Sequence, residues 1–468
     1  MAKIFQKHPL AMACGLIISS FSGQINASGF AIIEQSASGM GNAFANTAEA
    51  ADASTVFFNP AGMSRLSGTQ VTSALHYISP GADYSDKGSS VNPALTASLT
   101  GNSTTSVPNS LKGDGTLDAG LSAVVPNLYF VSEITDKINF GLGINAPFGL
   151  ATEYDDGWVG RYHALRSEVK TLNINPSLSF KINQMVSFGF GLNAQYEETT
   201  LSNAVDFGTV CVGSIEPRAG AGTCAAIGVN PLQSDGKANI EVASWGFGYN
   251  LGVMFNISES ARIGLAYRSK IEHDARGDAD FRLPANFAAF LNGAGIPLFR
   301  DTGASATITL PETASINGYF AINKQLSVMA DYTWTAWSRF ESLDIKFDSP
   351  IQPSTHQPEN WNDTYRISGA VNYRPMNALV LRLGIAYDQS PVPNKLDRTP
   401  RIPDEDRRWL TLGLGYQLSK TMTLDFGYAH LFVNDVDVDA VDTSTKHRLV
   451  GDYSSDVNIL SGQVSIKF

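Results

Sequence analysis

Few residues in this 468-residue chain are arranged to make or break bonds. Of three cysteines, Cys14 lies in a hydrophobic leader, while Cys211 and Cys224 bracket the Gly- and Pro-containing stretch "CVGSIEPRAGAGTC". In an oxidising compartment such a pair reads as a disulfide across a hairpin loop. A zinc site would need further Cys or His nearby, and none is in the stretch. The seven histidines (8, 76, 163, 273, 356, 430 and 447) are scattered and form no Ser-His-acid grouping in the sequence, so no catalytic residue is assigned. Asp435, Asp437 and Asp439 share one face of a strand-like run, but without the glycine turn of a calcium loop they read as a solvated edge. Neither a metal nor a cofactor is expected. Arg268, Arg366 and Arg382 sit on the polar faces of apolar-striped segments, where Asp331, Asp388 and Asp425 are candidate partners in an internal charge network. The densest binding-type residues are apolar. "FRLPANFAAFLNGAGIPLF" (281–299) sets Phe287, Phe290 and Leu291 at i, i+3 and i+4, one face of a short helix, with Ile296, Leu298 and Phe299 following. Val210, Val212 and Ile215 lie in the cysteine loop. Two greasy loops of this kind imply a docking groove for an apolar molecule, or loops that simply pack on each other.

The elements that must position these residues are strands. Charged residues make up 16% of the chain, with 42 Gly, 25 Phe and 16 Tyr, a balance that suits an all-β protein. Residues 1–27 read as a signal peptide: Lys3 and Lys7, then the apolar run 10–21, then "INA" before the cut. Its removal takes two lysines and no acid, moving the net charge from −11 to −13, which argues against a nucleic-acid partner. No later stretch approaches the ~18 apolar residues of a membrane helix. The chain end "LSGQVSIKF" alternates strictly, Leu460, Gly462, Val464, Ile466 and Phe468 against Ser461, Gln463, Ser465 and Lys467. "ALVLRLGIAY" (378–387), "WLTLGLGYQL" (409–418) and "VSFGFGLNAQY" (186–196) alternate likewise, each with one apolar and one small or polar face.

Fourteen such runs can be counted, and their connections alternate short and long. The short ones, such as "INQ", "ISES", "NKQ" and "SKT", fall at one end and the long ones at the other. That asymmetry is the mark of a transmembrane barrel with tight periplasmic turns and long external loops, in which a closed antiparallel sheet leaves no backbone group unpaired in hydrocarbon. The fold expected is all-β: a 14-stranded antiparallel transmembrane β-barrel over 69–468, in the bacterial outer membrane. Residues 28–68 do not alternate. They begin on the periplasmic side and are small-residue-rich, with a greasy "VFF" stopped by Asn59-Pro60, so they read as a plug of short helices inside the lumen. Phe57 and Phe58 are expected to pack it against the wall.

The chain resembles the long-chain fatty acid transporter (FadL-like) family, which includes aromatic-hydrocarbon importers. The resemblance is carried in order by "SGF" (28–30), "SASGMGNAFA" (36–45), "FFNPAGM" (57–63), "VVPNLYF" (124–130), "GLATEYDD" (149–156), "LPE" (310–312), "DYTWTAWSRF" (331–340), "DTYRISGAVNY" (363–373), "YDQSPVP" (387–393) and "RIPDEDRRWL" (401–410). It implies an outer-membrane channel, not an enzyme, for hydrophobic small molecules, with lipopolysaccharide around it. Its hatch would carry the Asn59-Pro60-Ala61 motif, and Ser28, Gly29 and Phe30 would be the moving parts. Ligand would be captured in the loop groove and leave sideways where the third strand kinks, here Asn145, Ala146, Pro147, Phe148 and Gly149. Pro147 cannot donate to a ladder, which suits an opening or a mere strand end. The resemblance also implies basic head-group contacts. The family's usual positions hold none here, which leaves Arg268, Arg366 and Arg382 as substitutes and an uncharged hydrocarbon as an equal ligand. Phe468 resembles the terminal signal read by the barrel-assembly machinery, and a monomer is expected. The rival functions are a general diffusion porin and an outer-membrane lipid hydrolase.

Overall fold

A computed structural model describes residues 29–93, 95 and 110–468. The expected signal peptide and Ser28 lie outside the described residues. The wall is a closed antiparallel barrel of fourteen strands: β1 (Thr69–Asp86), β2 (Ala123–Thr135), β3 (Ile138–Asn145, resuming as Gly149–Glu153), β4 (Arg166–Lys181), β5 (Val186–Asp206), β6 (Asp235–Asn256), β7 (Ala261–Arg268 and Ile271–Arg282), β8 (Thr302–Leu310 and Thr313–Ala321), β9 (Leu326–Thr335 and Ser342–Phe347), β10 (Thr364–Met376), β11 (Leu379–Asp388), β12 (Arg407–Gln417), β13 (Met422–Val433) and β14 (Arg448–Lys467). Each pairs with its sequence neighbour, and β1 closes on β14 from Gln70↔Lys467 to Asp86↔Gly451. The connections at 136–137, 182–185, 257–260, 322–325, 377–378 and 418–421 are the tight ones, as the sequence pattern predicts.

Period-two alternation decides which side chain meets lipid. Phe188, Phe190, Leu192, Leu381, Leu383, Ile385, Leu410, Leu412 and Leu414 are all exposed on the outer wall, while their alternate neighbours face inward. Strands β5 to β8 run further out than the apolar stripes suggest. β7 continues to Arg282, where a run read as loop is ladder instead. Beyond the hydrocarbon both faces of a strand meet polar surroundings, so the alternation that reveals a strand fades there.

Residues 29–66 fill the lumen. α1 (Ala37–Met40) is capped by Ser36, whose hydroxyl accepts from Gly39 N at 3.1 Å. α2 (Thr55–Phe58) ends at Asn59, and Pro60–Arg65 turns on as a tight 3-10 helix. Asn59-Pro60 therefore ends one turn and starts another. Pro60 suits the first helical position because it has no N–H to leave unpaired. The direction differs from expectation. Gly29–Ile32 lies high in the lumen, against Phe148 in the break of β3 and Trp337 between the two segments of β9, and the segment descends to Asn59 and Leu66 near the tight turns. Asn59 is the peg at the bottom. Its amide donates to Val253 O (3.2 Å) and Leu265 O (3.1 Å), and its Oδ1 accepts from Ala61 N (3.1 Å). Gly252 permits this approach, since a Cβ there would run into Asn59 Oδ1.

Asn59→Ala removes two hydrogen bonds to the wall, a loss of about 2 kcal/mol in hatch seating, together with the cap on Ala61 N. The variant is expected to keep the strand signature of the barrel in circular dichroism but to conduct more than wild type in planar bilayers. Unchanged conductance would mean that Asn59 is not the peg.

Candidate functional site

Where the hatch meets the middle of the wall there is a cavity of about 140 Å³. Its apolar side is Ile32, Phe44, Phe57, Phe58, Phe148 and Trp337; its polar side holds Thr333, Asp331, Asp388, Arg268 and Arg366. Phe57 and Phe58 are only half-buried. They touch the hydrophobic clusters of the wall, but each keeps part of its ring on the cavity, so they line the space as well as seal it. Val56 and Met63, fully buried, pack beside Phe57 in the same cluster.

Phe30 is 2% exposed and stands among Trp337 (4.9 Å between ring centroids), Phe340 (5.5 Å), Trp361 (5.9 Å) and Phe148 (6.0 Å). Gly29 sits at φ +60°, and a Cβ there would come within 2.7 Å of both tryptophan rings, so glycine is required. Gly29 N donates to Asp404 at 3.0 Å. The box was missed in the sequence because its walls come from distant segments. The signal was present in "DYTWTAWSRF" and in Trp361.

The third strand is broken between Asn145 and Gly149. Opposite it, β4 advances three residues, from Asn173 to Lys170, while β3 advances four, so β3 carries one extra residue. On the other side, β2 pairs β3 only up to Leu128↔Ile144; the resumed segment of β3 ladders with β4 and meets the chain before β2 only at its outer end, through a Thr152↔Gly120 bridge and Glu153 N to Ala119 O. Hatch and kink share backbone bonds: Ile32 N donates to Pro147 O (2.8 Å) and Gly149 N to Phe30 O (2.9 Å).

The external loops carry the apolar surface. α3 (Phe207–Ser214), α4 (Glu216–Ala219) and α5 (Thr223–Ala226) replace the hairpin loop read from the sequence, and Cys211–Cys224 is bonded across them with Cα atoms 6.0 Å apart. α6 (Ala285–Gly293) buries Phe287 and Leu291, as the i, i+4 spacing predicts. Ile215 is buried with them in one cluster, and Val210, Val212, Phe290, Ile296 and Phe299 pack partly buried around it. Leu298, also partly buried, follows in the same loop.

The three arginines differ. Arg382 is ion-paired with Asp425 at 2.8 Å, both buried. Arg268 donates to Asn193 (2.6 Å) and to the carbonyl of Phe57 (2.9 Å). Arg366 donates to Ala43 O (2.8 Å), and its Nε and Nη1 have no hydrogen-bond partner among the described residues. Asp439, of the acidic run, is bound by Arg448 at 2.6 Å. The fold brings two serines to histidines: Ser461 to His76 at 2.6 Å, whose Nε2 has no hydrogen-bond partner among the described residues, and Ser244 to His273 at 3.0 Å. The other ring nitrogen of His273 meets Gln195, which has no charge to stabilise an imidazolium.

A family model described as outer membrane protein transport protein (OMPP1/FadL/TodX) matches residues 18–468. The long-chain fatty acid transport protein of Escherichia coli strain K12 is 31% identical over 93% of this chain and 94% of its own length. Outer membrane protein P1 of Haemophilus influenzae is 31% identical over 88% and 87%. The solved structure of a Pseudomonas aeruginosa FadL homologue superposes with a TM-score of 0.82 at 25% identity, covering 94% of this chain and all of that one. The toluene transporter TodX of P. putida shares the fold at 0.61 and 15%, over 89% and 94%.

Closing a loop of this length (sequence separation 13) with a disulfide is worth about 3 kcal/mol. Reduction, or Cys211→Ser with Cys224→Ser, is expected to speed limited proteolysis within 207–234 by on the order of 100-fold. Equal rates in oxidised and reduced protein would mean that the packing of Phe207 on Phe287 holds the loop without it.

Proposed function

Since the chain belongs to the outer membrane protein transport protein family (OMPP1/FadL/TodX), we propose that it carries hydrophobic small molecules, long-chain fatty acids or hydrocarbons, inward across the outer membrane and releases them sideways through its own wall. The observation that carries this reading is the kink of β3, with one residue too many and no β2 partner beyond Leu128. The route runs from capture between α6 and the disulfide-bonded loop, through the upper lumen, to the cavity beside Phe30 and Phe148. Many inward side chains of the upper wall are apolar, among them Leu201, Ile240, Val242, Ile308 and Ile345. Burial of ~0.8 kcal/mol per CH₂ is enough to draw an alkyl chain along such a surface. A general porin needs a charged, watery constriction, which this lining does not supply.

Gly29 and Phe30, with Ser28 before them, act as the gate. Arg268 and Arg366 are the head-group contacts for an acid, since Arg382 is already paired. Asp331 and Asp388 on the same cavity favour a second reading, in which the ligand is an uncharged hydrocarbon. The protein works as a monomer set among lipopolysaccharide, and Phe468, exposed at the barrel's end, is the residue offered to the assembly machinery.

Deleting Pro147 removes the extra residue and lets β3 run in register past Leu172. The variant is expected to fold and insert normally but to lose at least about tenfold in uptake of a radiolabelled long-chain acid or alkane in cells lacking other importers. Uptake at the wild-type rate would rule out the sideways exit.

A further inference from the structure

Three wall arginines reach carbonyls of the hatch backbone: Arg262 to Ala48 O (2.9 Å), Arg268 to Phe57 O (2.9 Å) and Arg366 to Ala43 O (2.8 Å). Arg268 and Arg366 also line the cavity. The Phe57 carbonyl lies at the end of α2, a helix of only four residues, where last-turn carbonyls have no partner within the helix. Arg268 supplies that partner, and its guanidinium also covers the Phe57 ring at 4.4 Å. Arg366 is 5% exposed and keeps two donor nitrogens unused.

A carbonyl offers a dipole to a guanidinium, and a carboxylate offers a full charge. Charge-assisted hydrogen bonds are roughly twice as strong as neutral ones. We propose that Arg268 couples the ligand to the hatch: a carboxylate entering this cavity docks on the unused donors of Arg366 and takes the Arg268 guanidinium from the Phe57 carbonyl, which releases the Thr55–Phe58 turn. The ligand that does this is an amphiphile with a long apolar body and one carboxylate. Asp331 and Asp388 balance the two arginines, so a small anion with no apolar body gains little there. Arg268 thus serves both as a contact for the ligand and as the tie on the hatch. The inference rests on the cavity being the transport site of the proposed channel.

Hydrogen exchange of the full chain in detergent, followed by mass spectrometry, tests it with hexadecanoate and hexadecanol as probes of equal length. Hexadecanoate is expected to speed exchange across residues 54–59 by about tenfold, and hexadecanol to leave it unchanged. Arg268→Gln is expected to exchange fast without ligand and to gain nothing from hexadecanoate. Arg366→Gln, which keeps the Phe57 bond, is expected to exchange slowly and to stay slow with the acid. An equal response to acid and alcohol, or none to the acid in wild type, overturns the coupling. If uptake of both probes then still proceeds, the channel stands without this device; if neither is taken up, the channel reading fails first.

Discussion

In hydrocarbon a backbone N–H or C=O with no partner costs several kcal/mol, and the whole architecture follows from meeting that demand. Most of the wall meets it by strand pairing, and β7, β8 and β9 resume their ladders after short breaks. At its kink β3 does not, because its extra residue turns Pro147 O and Gly149 N out of the ladder. Both are satisfied by the hatch, at Ile32 and Phe30. The segment in the lumen is therefore part of the wall's own hydrogen bonding. Moving Phe30 out of its box exposes two backbone groups at the kink, and straightening the kink takes partners from the hatch. The proposed gate and the proposed opening are thereby joined by two bonds worth about 1 kcal/mol each.

The lumen has two chemistries, which gives the proposed route its direction. Above the hatch many inward side chains are Leu, Ile, Val and Ala. Beside and below it they are polar, with Arg268, Arg366, Arg382, Asp331, Asp388 and Asp425 among them and a chain of asparagines: Asn173 to Asn145 at 3.1 Å, Asn173 to Asn193 at 3.0 Å, Asn193 to Asn250 at 3.2 Å and Asn175 to Asn250 at 2.9 Å. An alkyl chain gains at every step through the first region and loses in the second, where it would cover polar groups that it cannot bond. The exit of least cost is lateral, at the level where the apolar lining ends. For the same reason Arg268, which bonds Asn193, stands at the border between the two regions.

Much of this was legible in the sequence because a membrane barrel writes its wall in period two. The stripe from Phe188 to Leu192 and the one from Leu410 to Leu414 read directly as lipid-facing surface, and the alternation of short and long connections ordered the strands. Asn59-Pro60 marked a turn, and the cysteine pair marked a disulfide, through local chemistry alone. What lay hidden depends on long-range contact. Trp337, Phe340 and Trp361 enclose Phe30 from positions more than 300 residues away in sequence. The entry of residues 29–32 near the top of the lumen could not be told from composition, because a small-residue segment carries no polarity of direction. The outer parts of β5 to β8 were hard to see for a simpler reason: outside hydrocarbon nothing forces their two faces to differ.

The size of the gate sets what can open it. Burying a phenylalanine side chain is worth about 1.5–3 kcal/mol, and the edge-to-face contacts of Phe30 with Trp337 and Phe340 add about 0.5–1.5 kcal/mol for each pair. Each methylene brought into the same box returns ~0.8 kcal/mol. A ligand on the proposed route must therefore place on the order of four to eight methylenes there before exchanging with Phe30 costs nothing. On the proposed route long acyl chains reach that range by length, and an aromatic molecule does so only as far as its ring replaces the stacking of Phe30. Short acids do neither, so Phe30 remains seated for them and the two backbone bonds to the kink hold.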